Sequence, residues 1–453
     1  MPASRHLSRM NCIWLQVATM NSLDRLYESL AAGAADKRHA HTALATRAEH
    51  LTAHAEPVTP EHTNDDVRQR FAQNEVQETL AVVENGQPIG LINRHIFMEQ
   101  YARPFARDVF GRKSCIAFMD KSPVIVDRGL PIETLVKTAV EAGTRVLKDG
   151  FITTAEGQYL GLGTGYALMK AMSDIEAEKT RQLLSSIGYA SLIQRSHLAE
   201  SDLALRDGLP DHALLWQPRD VVGGDAYFFR HTAAGLVGCV FDCTGHGVPG
   251  AFMTLIALSF LEQTITPESE RFDPGATLGA MNRYIKRVLQ QRQREGDTSY
   301  GSGSRPSNDG LDAALFLLAP GGASLQFASA RLHLLIAPDD GGELRTIDGD
   351  RDGIGYADTA DDQTWTTQQV ALGGSSLLVI PTDGVIDQIG GPRQIAHGKR
   401  RLVQFMEQRR GVSARALCAE FAEHFSQWQG LERRRDDVSL LAFRCGTPAK
   451  ENA

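Results

Sequence analysis

The chain has 453 residues, too many for one hydrophobic core, so two or three domains are expected. With 42% hydrophobic and 23% charged residues it has the make-up of a water-soluble globular protein, and a net charge of −8 argues against nucleic acid as its partner. Six dispersed cysteines (Cys12, Cys115, Cys239, Cys243, Cys418, Cys445) lack any metal-ligand or secreted-framework spacing, and the apolar run Cys12-Ile13-Trp14-Leu15 is too short to span a bilayer, which predicts a cytoplasmic protein with reduced thiols and no membrane partner.

The first 70 residues (1–70) open with Ala-rich helical patterning (Leu23, Leu26, Leu30) and run into a polar, Pro-containing stretch from Glu56 to Asn64 that reads as a linker. An internal repeat follows. Gly86-Gln87-Pro88-Ile89-Gly90-Leu91 returns as Gly157-Gln158-Tyr159-Leu160-Gly161-Leu162 at an offset of 71 residues, which also aligns Met98 with Met169. Each copy reads as strand, tight glycine turn, strand and helix, preceded by a further helix that is expected from Pro131 to Leu147 in the second copy. Two such units predict a duplicated α/β module over residues 71–172. From Gly165 to Leu205 no proline interrupts a helical pattern carrying Leu168, Met172, Ile175, Leu183, Ile187 and Ile193 in near-heptad spacing. That pattern predicts a linker helix, 173–207, pairing two copies of the chain in a homodimer.

After Gly208-Leu209-Pro210 strand-like runs take over, at Leu236–Phe241, Ala313–Leu318, Ser324–Ala328, His333–Ala337, Ser376–Ile380 and Val438–Phe443. Helical runs lie at Pro249–Gln263, Pro274–Gln290, Arg400–Glu407 and Ala414–Trp428. This order predicts packed sheets flanked by helices in one domain, 208–446, followed by a tail, 447–453. The Ser/Gly/Asp-rich stretch between Gln290 and Gly310 reads as a surface loop.

Within this domain strand ends repeatedly deliver an aspartate into a glycine turn: Val222-Gly223-Gly224-Asp225, Phe241-Asp242-Cys243-Thr244-Gly245-His246-Gly247 and Thr382-Asp383-Gly384. A fourth acidic element, Asp436-Asp437, precedes the apolar run Val438-Ser439-Leu440-Leu441. Separated carboxylates at strand ends suit a hard divalent cation such as Mg²⁺ or Mn²⁺, which takes oxygen ligands in preference to thiolates. The chemistry they point to is metal-assisted work on phosphate.

In order and approximate separation these four segments resemble the SpoIIE-like branch of the metal-dependent Ser/Thr protein phosphatases, the PPM family, over roughly residues 205–445. The resemblance implies an α+β fold whose C-terminal part is an α-β-β-α sandwich, and a site holding two divalent cations, Mn²⁺ or Mg²⁺. Carried over by position, Asp242 bridges both cations, the Cys243 backbone carbonyl adds a ligand, and Asp225, Asp383 and Asp436 complete the set. Asp437 stands in if the alignment slips by one, and Asp312 is a candidate for a third ion. Asp225, Asp242, Asp383 and Asp436 are then the catalytic residues, acting through a metal-bound water, since paired cations about 3.5–4 Å apart activate water and neutralise phosphate. His246 has two readings, proton donor or structural turn residue, and stays outside the catalytic set. The implied substrate is phosphoserine or phosphothreonine on a regulatory protein, a STAS-domain partner of the anti-anti-sigma kind in a partner-switching pathway. The alternative is a catalytically degenerate scaffold that binds a phosphoprotein.

The duplicated module resembles a CBS-domain pair, which implies sensory control and a site for a small-molecule ligand. Two departures stand out. Where many PPM relatives carry a Gly-His pair this chain has Ala328-Ser329-Ala330-Arg331-Leu332-His333, and the places of the adenosine-binding threonine and aspartate of CBS copies are occupied by Asn93 and His95 and by Thr164 and Tyr166.

Overall fold

The computed structural model describes residues 45–291, 308–338, 341–373 and 375–445. The expected N-terminal helix around Leu23–Leu30, most of the Gln290–Gly310 loop and the 447–453 tail lie outside the described residues. The chain divides into two compact units that meet between Leu184 and Ser185.

The first unit makes the repeat visible in the backbone. Strands β1 (Thr52–Ala53), β2 (Thr79–Glu84) and β3 (Gln87–Asn93) and helices α1 (Asn64–Gln73), α2 (Arg94–Tyr101) and α3 (Ala106–Phe110) come first. Then follow β4 (Ile125–Asp127), α4 (Ile132–Glu141), α5 (Thr144–Asp149), β5 (Phe151–Ala155), β6 (Gln158–Gly163) and the long α6 (Gly165–Gly208), which continues into the second unit. Hairpins β2–β3 and β5–β6 turn on Asn85-Gly86 and Glu156-Gly157, whose φ angles of 51° and 81°, and of 53° and 81°, are both left-handed. That is the backbone that a two-residue hairpin turn requires. Each hairpin also shifts register at the same place, between Val82 and Val83 and between Thr153 and Thr154. A parallel partner flanks each first strand: Val58 bridges Val82, and Val126 of β4 pairs with Thr153.

Two expectations need correcting in this unit. The stretch from Glu56 to Asn64 is packed, not a free linker: Val58 is fully buried, and Thr63 caps α1 by accepting from the Asp66 amide. The expected Pro131–Leu147 helix is broken into α4 and α5, because Gly143 adopts φ 72° and ψ −148°, a conformation essentially confined to glycine.

In the second unit two five-stranded sheets face one another. The first has the order β14-β11-β10-β9-β8, built from β8 (Asp225–Thr232), β9 (Gly235–Cys243), β10 (Leu311–Leu318), β11 (Ser324–Ala330) and β14 (Gln368–Ala371). The second has the order β13-β12-β15-β18-β7, built from β7 (His212–Gln217), β12 (His333–Ala337), β13 (Arg345–Asp348), β15 (Leu377–Pro381) and β18 (Val438–Arg444). Between β15 and β18 the chain forms the short helix α9 (Asp383–Asp387) and the hairpin β16 (Ile389–Gly390) and β17 (Ile395–Ala396). Successive residues of a strand point to opposite faces, and the central strands bury both. Leu441 and Phe443 of β18 join the core between the sheets, where Phe443 stacks on Phe316 with ring centroids 5.4 Å apart. Val438, Leu440 and Ala442 join the core under helices α10 (Lys399–Glu407) and α11 (Ala414–Gln429). Helices α7 (Gly247–Thr264) and α8 (Pro274–Val288) cover the other sheet with Leu258, Leu261, Leu278 and Ile285. The four layers are therefore helix, sheet, sheet, helix.

Among the described residues no helix is long and apolar enough to cross a membrane. Cys115, Cys239, Cys243, Cys418 and Cys445 are buried free thiols. Along α6 Leu168 is buried, whereas Met172, Leu183 and Ile193 are exposed.

Candidate active site

Strand register puts three carboxylates in a row. Asp225, the first residue of β8, pairs with Asp242 of β9, and Asp242 pairs with Asp312 of β10. Residues directly opposite each other in neighbouring antiparallel strands project to the same face, so the three side chains share one surface at the end of the sheet.

Asp225 is the buried member, with 1% of its surface exposed. Thr382 donates its hydroxyl to Asp225 Oδ2 at 2.8 Å, and the Trp216 indole donates to the Asp225 carbonyl at 2.9 Å. Asp225 Oδ1 and the neighbouring Ser439 hydroxyl are buried without a well-formed hydrogen bond. Burial pushes the Asp225 carboxyl up to about 8, and the charges of Asp437 and Asp383 add to the rise. Asp242 and Asp383 are raised in the same direction, first by burial and then by neighbouring aspartates that include Asp436, and the two are within hydrogen-bonding reach of each other.

The adjacent pair Asp436 and Asp437 has two different jobs. Asp437 is buried, and both of its oxygens are taken by main-chain amides: Arg219 N–H donates to Oδ1 at 2.5 Å and Gly224 N–H to Oδ2 at 2.6 Å. It ties the turn before Asp225 to the start of β18. Asp436 is half-buried, accepts from the Asp437 amide at 2.9 Å, and its charge bears on Asp242 and Asp383. Both charges bear on the other acids, Asp437 on Asp225 and Asp383 and Asp436 on Asp242 and Asp383, but only Asp437 has both oxygens taken by main-chain amides.

Glycine is required at two points of this arrangement. A Cβ on Gly224 would lie 2.5 Å from the Gly245 carbonyl oxygen and 2.8 Å from that of Cys243, and one on Gly384 would strike the Asp437 carbonyl oxygen. The close approach of these backbones brings the turns of β8, β9 and β15 together.

Asp312 is the open member of the row. It is half-buried, its carboxyl pushed up to about 6 by burial and pulled back by Arg331, whose Nη1 lies 3.4 Å from Asp312 Oδ1. His246, at the cap of α7, places Nδ1 2.8 Å from Asp220 Oδ2, both side chains partly exposed.

The acids fit divalent cations in donor type: all are hard oxygens, they raise one another's affinity for positive charge, and Asp225 Oδ1 is buried beside the Ser439 hydroxyl without a well-formed hydrogen bond. Among the described residues no group of three or more His, Cys, Asp or Glu side chains is arranged as it stands to hold a metal ion.

A family model described as stage II sporulation protein E (SpoIIE) matches residues 233–446. The PP2C domain of SiaA from Pseudomonas aeruginosa is 32% identical, the match covering 59% of this chain and 99% of that one with a TM-score of 0.51. The chain belongs to the SpoIIE family of PP2C-type serine/threonine phosphatases. The RsbU and RsbW domains of Rv1364c from Mycobacterium tuberculosis match at 21% identity over 53% of this chain and 62% of that one, with a TM-score of 0.40. A fragment of SpoIIE from Bacillus subtilis that contains its PP2C domain matches at 14% identity over 53% and 64%, with a TM-score of 0.38. Among proteins with curated descriptions there is no match.

Three further residues of the phosphatase domain bear on the site without a local sequence signal. Thr382, the neighbour of Asp383, supplies the hydrogen bond that orients Asp225. Tyr356, 44 positions beyond Asp312, reaches its carboxylate at 3.5 Å, and no local motif marks it. Asp220, shortly before the glycine pair, finds its partner only in the fold, 26 positions on at His246.

Proposed function

We propose that this phosphatase hydrolyses phosphoserine or phosphothreonine on a regulatory protein, a STAS-domain partner of the kind the family resemblance implies, under the control of its N-terminal unit. The observation that supports the catalytic part most directly is the convergence of Asp225, Asp242, Asp383 and Asp436, with one buried oxygen of Asp225 left for a cation. In this reading those four side chains and the Cys243 carbonyl hold two divalent cations, Mn²⁺ or Mg²⁺. What such cations supply is neutralisation of phosphate charge and activation of water for in-line attack. Thr382 fixes Asp225, Asp437 fixes the Gly223-Gly224 turn, and the open sides of Asp242 and Asp383 leave room for a phosphorylated side chain to enter.

The N-terminal unit is read as a CBS-type pair with a small-molecule ligand. Support comes from the doubled hairpin turns, the matching register shifts and the parallel strand beside each hairpin. Helix α6, continuous from Gly165 to Gly208, is the covalent path between input and catalysis, and its exposed Met172, Leu183 and Ile193 are read as a dimer seam.

The test is direct. The full chain is incubated with phosphorylated STAS-domain proteins, with and without Mn²⁺, beside p-nitrophenyl phosphate as a substrate that needs no protein recognition. Metal-dependent release from p-nitrophenyl phosphate with none from any phosphorylated STAS protein would sink the proposed substrate and leave the enzyme class intact.

A further inference from the structure

We propose that Arg331 is the residue that grips the substrate's phosphate. The register of β10 and β11 pairs Ala313 with Ala330, which places Arg331 beside Asp312 and extends the row of acids by one cation: Asp225, Asp242, Asp312, Arg331. A row of carboxylates repels an incoming phosphate dianion, so a fixed positive charge at its open end is where the substrate's charge is met first.

The backbone at this position is costly and held in place. Arg331 has φ 63°, the left-handed region that a residue with a β-carbon enters only against steric resistance. Such strain persists where surrounding contacts over-determine it, and it gathers at sites of function. Here the Arg331 amide donates to the Asp350 carbonyl at 2.8 Å and its Nε donates to the Arg351 carbonyl at 3.1 Å.

The side chain is held as firmly as the backbone. The guanidinium carbon lies 4.8 Å from the centre of the Tyr356 ring, within cation–π range. Tyr356 is itself anchored to the acidic turns: the Thr244 hydroxyl donates to its phenolic oxygen at 3.2 Å, and that phenol donates to Asp312 Oδ1 at 3.5 Å. Asp312 takes Nη1 at the long distance of 3.4 Å. Among the described residues Nη2 has no hydrogen-bond partner, and the side chain is 41% exposed. A planar guanidinium with one edge fixed and the other presented to solvent beside the acids is suited to two oxygens of a phosphate.

This inference rests on the phosphatase assignment, and the experiment separates the two. Inorganic phosphate is titrated calorimetrically into the full-length protein supplied with Mg²⁺, and KM and kcat are measured on p-nitrophenyl phosphate, for wild type, Arg331→Gly and Arg331→Lys. Glycine accepts the left-handed backbone without strain, so Arg331→Gly is expected to melt no lower than wild type. Loss of a charge-assisted pair predicts phosphate affinity weakened roughly 10- to 100-fold, KM raised in parallel and kcat changed by less than about threefold, with Arg331→Lys between the two. Phosphate binding in Arg331→Gly within about twofold of wild type, or a fall in kcat with phosphate binding unchanged, would overturn the proposal. Arg331-dependent phosphate binding by a wild type that hydrolyses no phosphoprotein would uphold the grip and strike the proposed substrate instead.

Discussion

Asp225 and Asp312 flank Asp242 in one sheet, on one face, and differ in what balances their charge. Asp225 is sealed in the interior between the Thr382 hydroxyl, which donates to Oδ2, and the Ser439 hydroxyl, with no well-formed hydrogen bond on Oδ1, and its carboxyl rises to about 8. Asp312 is open on one side, carries its own cation in Arg331, and rises only to about 6. The same residue type, two strands apart, thus makes opposite demands: the buried end needs a cation from outside, and the open end already has one. On the proposed reading, the difference supports placing cations at the Asp225 and Asp242 end, with Asp312 on the substrate side.

The largest expected effects break that division directly. Asp242→Asn and Asp225→Asn remove the charge that would hold a divalent ion while keeping shape, so turnover of p-nitrophenyl phosphate is expected to fall by roughly 1,000-fold or more. Asp383→Asn should match them. Melting temperature in the absence of metal should not fall, because burial and like neighbours already disfavour the charged carboxylate at each position and a neutral amide is no worse there. Asp312→Asn, by contrast, is expected to cost less than about tenfold, expressed in KM through Arg331. Equal losses at Asp225 and Asp312 would erase the distinction between the two ends.

The acids are legible in the sequence because Asp225, Asp242 and Asp383 stand at strand ends beside glycine turns and Asp436-Asp437 is an acidic pair before an apolar run, all local signals. It found strands such as His333–Ala337 and Ser324–Ala330 nearly complete, because apolar residues crowd them. It missed β8, whose Asp-Ala-Tyr-Phe-Phe-Arg-His-Thr has five successive buried residues and no alternation, and it missed the short polar edge strands β13 and β14. The separate roles of Asp436 and Asp437 were illegible for a different reason. Adjacent residues of one type cannot be told apart until the Arg219 and Gly224 amides, over 200 positions away, are seen to close on only one of them. Arg331 stood out as a departure from the family pattern, but its stacking on Tyr356 joins residues from different loops and has no sequence signature.

A finer cut at the buried end is Thr382→Val, nearly isosteric and unable to donate. Thr382 is 1% exposed, donates to Asp225 Oδ2 and accepts from the Ser439 amide at 3.0 Å, so the change leaves two buried groups short of a partner. A cost of about 1–3 kcal/mol in chemical denaturation is expected, with Mn²⁺ needed at higher concentration for half-maximal activity. A stability loss with unchanged Mn²⁺ dependence would mean that Thr382 holds the fold and leaves Asp225's orientation to Trp216.

The smallest effect at neutral pH tests whether burial as the main cause, with one histidine and one arginine nearby in place of a cluster of carboxylates, produces an Asp225-like shift. His397 is fully buried with an orphaned Nδ1, its Nε2 lies 3.3 Å from His424 Nε2, and its ring packs edge-on against Phe421 and Trp428. Burial pulls it down to about 4, with the nearby His424 and Arg401 adding to the fall, and His424 is lowered in the same direction by burial and Arg409. A base with a depressed folded-state pKa contributes stability that is present above its unfolded value near 6.5 and is lost as pH falls toward 4. Replacing His397 with Leu keeps the apolar box and removes the proton site. Wild type should therefore lose about 3 kcal/mol more than His397→Leu between pH 6.5 and pH 4, with little titration difference above pH 7. Parallel stability curves across that window would show that the interior around α11 admits the charged ring, and that the shift at Asp225 owes more to its neighbouring carboxylates than to burial.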